Sequence, residues 1–240
     1  YSASDMSRYW SWHEDYPRNF DILTIENRYL GNSYRIAGGM KYTILSDNIG
    51  YVYYEDFSRA VGEGNLDEML AYFAPCNGII FDVRDNGGGT LTYAERIAAR
   101  FTNEKVHTGY IMHKTGPGHN QFSQPKPVYV EPSNRIRWQK PVAVLTNRSA
   151  YSTTNEFANI MRYMPNAVLI GDRTGGGAGL PFTSELPNGW GVRFSASPHL
   201  DAEKNHIEFG IEPDIKIDLT PLTLHDDIIE EARKTLKNMQ

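Results

Sequence analysis

A largely parallel α/β sheet is the fold this sequence predicts, and two observations carry the prediction. An apolar run at residues 79–83 is followed by a glycine loop at Gly87-Gly88-Gly89, an amphipathic stretch at 93–101 and a strand-like stretch at 106–113. The pattern returns with an apolar run at 142–145, a turn at 149–152, an amphipathic stretch at 153–163 and an apolar run at 167–170. Strands separated by helices need crossover connections, which align them in parallel and bury both faces.

The other elements follow along the chain. Residues 1–20 are aromatic and polar, with weak periodicity, and read as a helical or irregular lead-in. A short helix is expected over 21–29, stopped at Gly31. Strands are expected at 33–46 and 49–54, joined at Asp47-Asn48, and a helix at 65–73 with Asn65 as its N-cap. Residues 115–127, with three prolines and two glycines, read as a loop. Residues 182–197 alternate around Asn188-Gly189, a hairpin signal, and 226–238 closes the chain as a helix. No repeat or low-complexity linker divides the chain, so one α/β domain is the simplest organisation.

Composition excludes several classes. The 240 residues are 40% hydrophobic and 22% charged with a net charge of −5, which is globular and not disordered. No apolar run reaches the roughly 20 residues of a membrane span. A pI near 5.8 without a basic stripe argues against nucleic acid as a partner. Cys76 is the one cysteine, so no intrachain disulfide or thiolate metal site is expected. None of the seven histidines has metal-ligand spacing, and neither metal nor cofactor is expected. The chain starts at Tyr1 without Met or a leader-like stretch, which reads as a processed or truncated form.

Two strand-to-helix turns and the glycine-rich stretch after the next strand could carry chemistry. Asp82-Val83-Arg84-Asp85-Asn86-Gly87-Gly88-Gly89 lets backbone N–H groups converge on an anion or an oxyanion, although a tight turn alone would use the same residues. It lacks the Gly-Lys-Ser/Thr ending of a phosphate loop. In Thr146-Asn147-Arg148-Ser149-Ala150-Tyr151-Ser152-Thr153-Thr154-Asn155-Glu156, Thr153 and Glu156 fit a capping box. That leaves Ser152 just ahead of a helix N-terminus, where a nucleophile with the Thr153 N–H as an oxyanion donor would stand, although an ordinary serine at a helix start would occupy the same place. Gly171-Asp172-Arg173-Thr174-Gly175-Gly176-Gly177 reads as a cleft wall or a flexible loop, and Glu208 to Asp214 as a carboxylate-bearing Gly/Pro turn.

Taken in order, these motifs resemble the C-terminal processing peptidases and tricorn core proteases, serine peptidases with a crotonase-like fold of ββα-type units. The resemblance covers about residues 49–219. It implies Ser152 as nucleophile, Gly87 or Gly88 with the Thr153 N–H as the oxyanion hole, and Glu208 or Glu212 as the carboxylate completing the site. The lysine of the processing peptidases' Ser–Lys dyad falls at Gly177, so the tricorn-like branch, with a histidine base, is the nearer match. No Asp-Gly-His-Thr-like segment occurs, and His107-Thr108 is misplaced. The base is therefore expected N-terminal to Tyr1, and this chain by itself to be feebly active.

By the same resemblance, residues 1–32 are a lead-in and 33–240 the peptidase domain, without room for a peptide-binding PDZ domain. The substrate would be a peptide or unfolded protein, the compartment extracytoplasmic (periplasm or cell surface), and a homo-oligomer stays open. A non-catalytic peptide- or ligand-binding relative and an acyl-CoA enzyme are the competing readings.

Overall fold

The computed structural model describes residues 20–218 and 224–239; the lead-in expected over 1–20 lies almost entirely outside them. Asp21 caps a short helix, Ile22–Thr24, that widens into a π-helical stretch, Ile25–Leu30 (together α1), and ends at Gly31 with φ +66°. Next come β1 (Arg35–Ala37), β2 (Met40–Ile44), β3 (Ile49–Tyr54), α2 (Glu63–Tyr72), β4 (Gly78–Asp82) and α3 (Leu91–Ala98). β5 (Val106–Ile111), β6 (Lys126–Val130), β7 (Val142–Thr146), α4 (Thr153–Met161) and β8 (Ala167–Gly171) follow. The chain closes with β9 (Pro181–Glu185), β10 (Gly191–Ser195), β11 (His199–Leu200), β12 (Ile215–Lys216) and α5 (Asp227–Asn238).

The main sheet has seven strands in the order β1-β2-β3-β4-β7-β8-β12. β3, β4, β7, β8 and β12 run parallel, and β1 and β2 are antiparallel additions at one edge. β4 and β7 are buried at every position, as strands covered on both faces must be. Alternate side chains serve two cores. Phe81, Val144 and Leu169 face α2, α3 and α4, while Ile80, Ala143, Leu145 and Ile170 face α1 and α5. Five parallel strands thus bring their C-terminal ends, and the turns leaving them, to one side.

Four local expectations change. The single strand expected over 33–46 breaks at Gly38 and Gly39, both with positive φ (55° and 81°), into a β1–β2 hairpin. Gly62 caps α2, and Asn65 sits inside the helix, where its Oδ1 accepts the Gly62 N–H at 2.9 Å. β5 leaves the main sheet and forms a separate antiparallel sheet with β6 and β11. Its half-buried, polar-spaced residues cannot be covered on both faces, and the expected loop at 115–127 runs directly into its partner β6. The fourth concerns the start of α4 and bears on the site. The Asn188-Gly189 hairpin forms as expected, with β9 and β10 paired from Glu185–Gly191 to Pro181–Ser195.

Candidate active site

The first turn leaves β4 through a buried charge network. Arg84 pairs with Asp82 (Nη2···Oδ2 2.6 Å) and with Asp226 (Nη1···Oδ2 2.8 Å), and the Tyr51 hydroxyl donates to Asp82 at 2.8 Å. Asp226 also caps α5, so the network ties the sheet to that helix at the root of the glycine loop. Buried ion pairs gain little net stability because desolvation opposes them; their value lies in fixing direction. Beyond it, Asn86 works as a clamp. Its Oδ1 accepts the Gly88 N–H at 2.9 Å and the Thr154 hydroxyl at 2.7 Å, while its Nδ2 donates to the Tyr54 carbonyl. Asn147 likewise accepts the Asp85 N–H at 3.0 Å and donates to its carboxylate at 2.7 Å.

The second turn carries Ser152 at φ +59°, ψ −119°, a region that non-glycine residues avoid. It occupies the N-cap position of α4, its N–H donates to the Gly176 carbonyl at 2.8 Å, and its hydroxyl makes no hydrogen bond among the described residues. The capping box expected from Thr153 and Glu156 does not form. The Thr153 hydroxyl donates to the Gly89 carbonyl at 2.7 Å, and the Glu156 carboxylate turns to His199. The glycine loop presses on the serine: a Cβ on Gly88 would lie 2.8 Å from Ser152 Cβ and 2.6 Å from the Tyr151 carbonyl oxygen. Asn86 occupies the Gly88 N–H, whereas among the described residues the amides of Gly87, Gly89 and Thr153 donate to nothing.

The third turn, 171–179, wraps the Ser152 turn. Gly175 donates to the Ala150 carbonyl at 2.8 Å and Gly177 to the Glu208 carbonyl at 2.9 Å. A Cβ on Gly177 would fall 2.3 Å from the Tyr151 ring, so no lysine side chain starts there. Glu208 thus abuts this loop through its backbone, whereas Glu212 is exposed and pairs loosely with Arg173 at 3.5 Å. His107 packs against Tyr110 and Tyr129 on the outer sheet. Among the described residues no His, Cys, Asp or Glu cluster could hold a metal ion.

Two cavities meet at Ser152. One, of about 630 Å³, runs along Gly87, Gly88 and Asp56; the other, of about 210 Å³, is walled by Leu91, Ala178, Leu180 and Pro181. Glu156 and His199, both buried, line the smaller one, with Nδ1 of the imidazole donating to Oε2 at 2.9 Å. This pair escaped sequence reasoning: the residues stand 43 apart, and no local motif marks His199.

The chain resembles known proteins in the same region. A Parabacteroides merdae crystal structure, a provisionally assigned peptidase, is 58% identical with a TM-score of 0.91, covering 98% of this chain and 76% of that one. Mature CPAF bound to lactacystin shares the fold at 15% identity (TM-score 0.68, 83% of this chain and 53% of that one). So does the photosystem II D1 C-terminal processing protease at 21% identity (TM-score 0.56, 78% and 46%). The Arabidopsis thaliana chloroplastic carboxyl-terminal-processing peptidase 2 is 28% identical over 176 residues, 70% of this chain and 32% of that protein. A Chlamydia muridarum protein is 29% identical over 137 residues, 54% of this chain and 22% of its own length. The chain spans only 19–32% of the curated relatives it matches. The profile of Peptidase family S41 covers residues 48–217, which include the glycine loop, Ser152, the loop wrapping it and both candidate glutamates, and this chain, with its crotonase-like fold, therefore belongs to that family.

Proposed function

We propose that this chain is the peptidase domain of a serine-type endopeptidase and that its acyl-enzyme forms on Ser152. One observation carries the reading: a serine with an unengaged hydroxyl is held at φ +59° at the start of α4, where two cavities meet. Strained backbone at a helix entry exposes a nucleophile and aims the helix N-terminus at the developing charge. Ser152 Oγ attacks the peptide carbonyl, and the Gly87 and Thr153 amides take the oxyanion. A histidine base accepts the serine proton and passes it to the leaving amine, and water then releases the acyl group. Glu208 is the better candidate than Glu212 for the completing carboxylate, because its backbone holds the loop that holds Ser152. In this reading residues 33–240 carry the peptidase domain behind a lead-in at 1–32. The substrate is a peptide or unfolded protein met outside the cytoplasm. No helix among the described residues is long and apolar enough to cross a membrane.

The test is a fluorophosphonate probe with intact-mass detection and peptide mapping. One adduct on Ser152, absent from Ser152→Ala, is expected. It should form slowly, since no described side chain hydrogen-bonds to the Ser152 hydroxyl. An adduct elsewhere, or peptide binding with no adduct at any probe concentration, would refute the reading; the second result would favour a non-catalytic peptide-binding relative.

A further inference from the structure

We propose that Glu156 lies at the inner end of the pocket for the residue whose carbonyl is attacked, and that it selects a basic side chain there, lysine or arginine. The inference rests on Ser152 being the nucleophile. Glu156 follows Ser152 by one helical turn, and helical side chains lean toward the N-terminus, so its carboxylate is carried back under the serine. The cavity beside Ser152, about 210 Å³, has room for one extended side chain, with apolar walls suited to a methylene stem.

The two oxygens of Glu156 differ. Oε2 accepts the His199 Nδ1–H at 2.9 Å, while Oε1 makes no hydrogen bond and is not among the buried unpaired polar atoms. On a side chain that is 10% exposed and lines the cavity, Oε1 is the oxygen open to that space. His199 is itself locked, its N–H donating to the Ala178 carbonyl at 3.0 Å and its strand paired with β5, so it holds the carboxylate in place. A second carboxyl, Glu95, stands nearby and is pushed upward by burial and by Glu156. No Lys or Arg forms an ion pair with Glu95 or Glu156 among the described residues. Arg193 also borders the cavity, but from exposed strand β10, where the two cavities meet, and not from the buried end. An ammonium or guanidinium would give Oε1 a charge-assisted partner. A leucine would cover Oε1 and leave it unsatisfied.

The test uses two peptidyl diphenyl phosphonates that differ only at the residue entering this cavity, lysine against leucine, with Ser152 labelling followed by intact mass. The lysine probe should react faster by on the order of ten-fold, and Glu156→Gln, which can still accept the His199 N–H, should bring the ratio close to one. Equal rates in the unsubstituted chain overturn the inference while leaving Ser152 standing. Loss of both reactions in Glu156→Gln at an unchanged melting temperature also overturns it, by assigning the Glu156–His199 pair to proton transfer. Should neither probe label the unsubstituted chain, whose Ser152 is expected to react slowly, a benzamidine titration followed by NMR decides. Saturable binding that Glu156→Gln abolishes upholds the basic pocket; binding that is absent or insensitive to the substitution overturns it.

Discussion

Gly88→Ala should damage both the fold and the site, and the structure indicates by how much. At φ +98° an alanine pays for left-handed backbone, roughly 1–2 kcal/mol. Its Cβ would also sit 2.6 Å from the Tyr151 oxygen and 2.8 Å from both Ser152 Cβ and the Thr153 nitrogen. Those neighbours are backbone or the Cβ of Ser152 itself, so relief requires one turn to retreat from the other. Overpacking of this kind costs a further ~1–3 kcal/mol. The sum, about 2–5 kcal/mol, is a large part of a typical domain's stability. Misplacing a nucleophile by about 1 Å can slow its reaction by on the order of a hundred-fold. Gly87 supplies the control, since a Cβ there meets nothing within 4 Å and its φ lies outside the left-handed region. Gly87→Ala should stay within about 0.5 kcal/mol of the parent. Urea unfolding of both variants, with fluorophosphonate labelling rates at Ser152, measures the two effects separately. If Gly88→Ala proved as stable and as reactive as Gly87→Ala, the contact between the glycine loop and the Ser152 turn would be refuted.

Further predictions concern the charge network and the acid limit. Arg84→Met leaves Asp82 and Asp226 buried without their cation, and the urea midpoint should fall by an amount equivalent to roughly 3–5 kcal/mol; a change below 1 kcal/mol would contradict the burial. For Asp47, burial raises the carboxyl pKa, but hydrogen bonds from Arg233 and Lys237 outweigh it and hold the group below its ordinary 3.8. A carboxylate lowered in the folded state stabilises the fold above its unfolded pKa, and that stabilisation is lost as pH falls through the lower folded value. The stability advantage of the parent over Asp47→Asn should therefore be constant from pH 5 to 7 and shrink below about pH 4. A constant difference down to pH 2, measured by urea unfolding, would show the ion pairs to be without effect.

Much of the Ser152 turn was legible because its signals are local. Apolar runs mark β4 and β7, glycine and small polar residues mark the turns, and an amphipathic stretch marks α4; all lie within about a dozen residues of Ser152 or of the glycine loop. The capping box misled because Glu156 had two possible partners, and the buried imidazole of His199 took the carboxylate away from the helix end. A local motif cannot reveal that competition. β5 misled for a related reason. As a short strand after a helix it fits a crossover unit, and only the pairing partners β6 and β11, one of them two residues long, draw it out of the main sheet.

By itself the sequence determined the parallel α/β core, the three turns and the serine standing at the start of a helix, because hydrophobic periodicity and turn chemistry act over short stretches of chain. Tertiary structure decided what meets Ser152. It engaged the Gly88 amide with Asn86, left those of Gly87 and Thr153 unengaged, moved Glu212 to the surface and set Glu156 against His199 across 43 residues. Those outcomes depend on which distant groups become each other's nearest partners once water is excluded, and that is settled only when the sheet has brought its turns to one side.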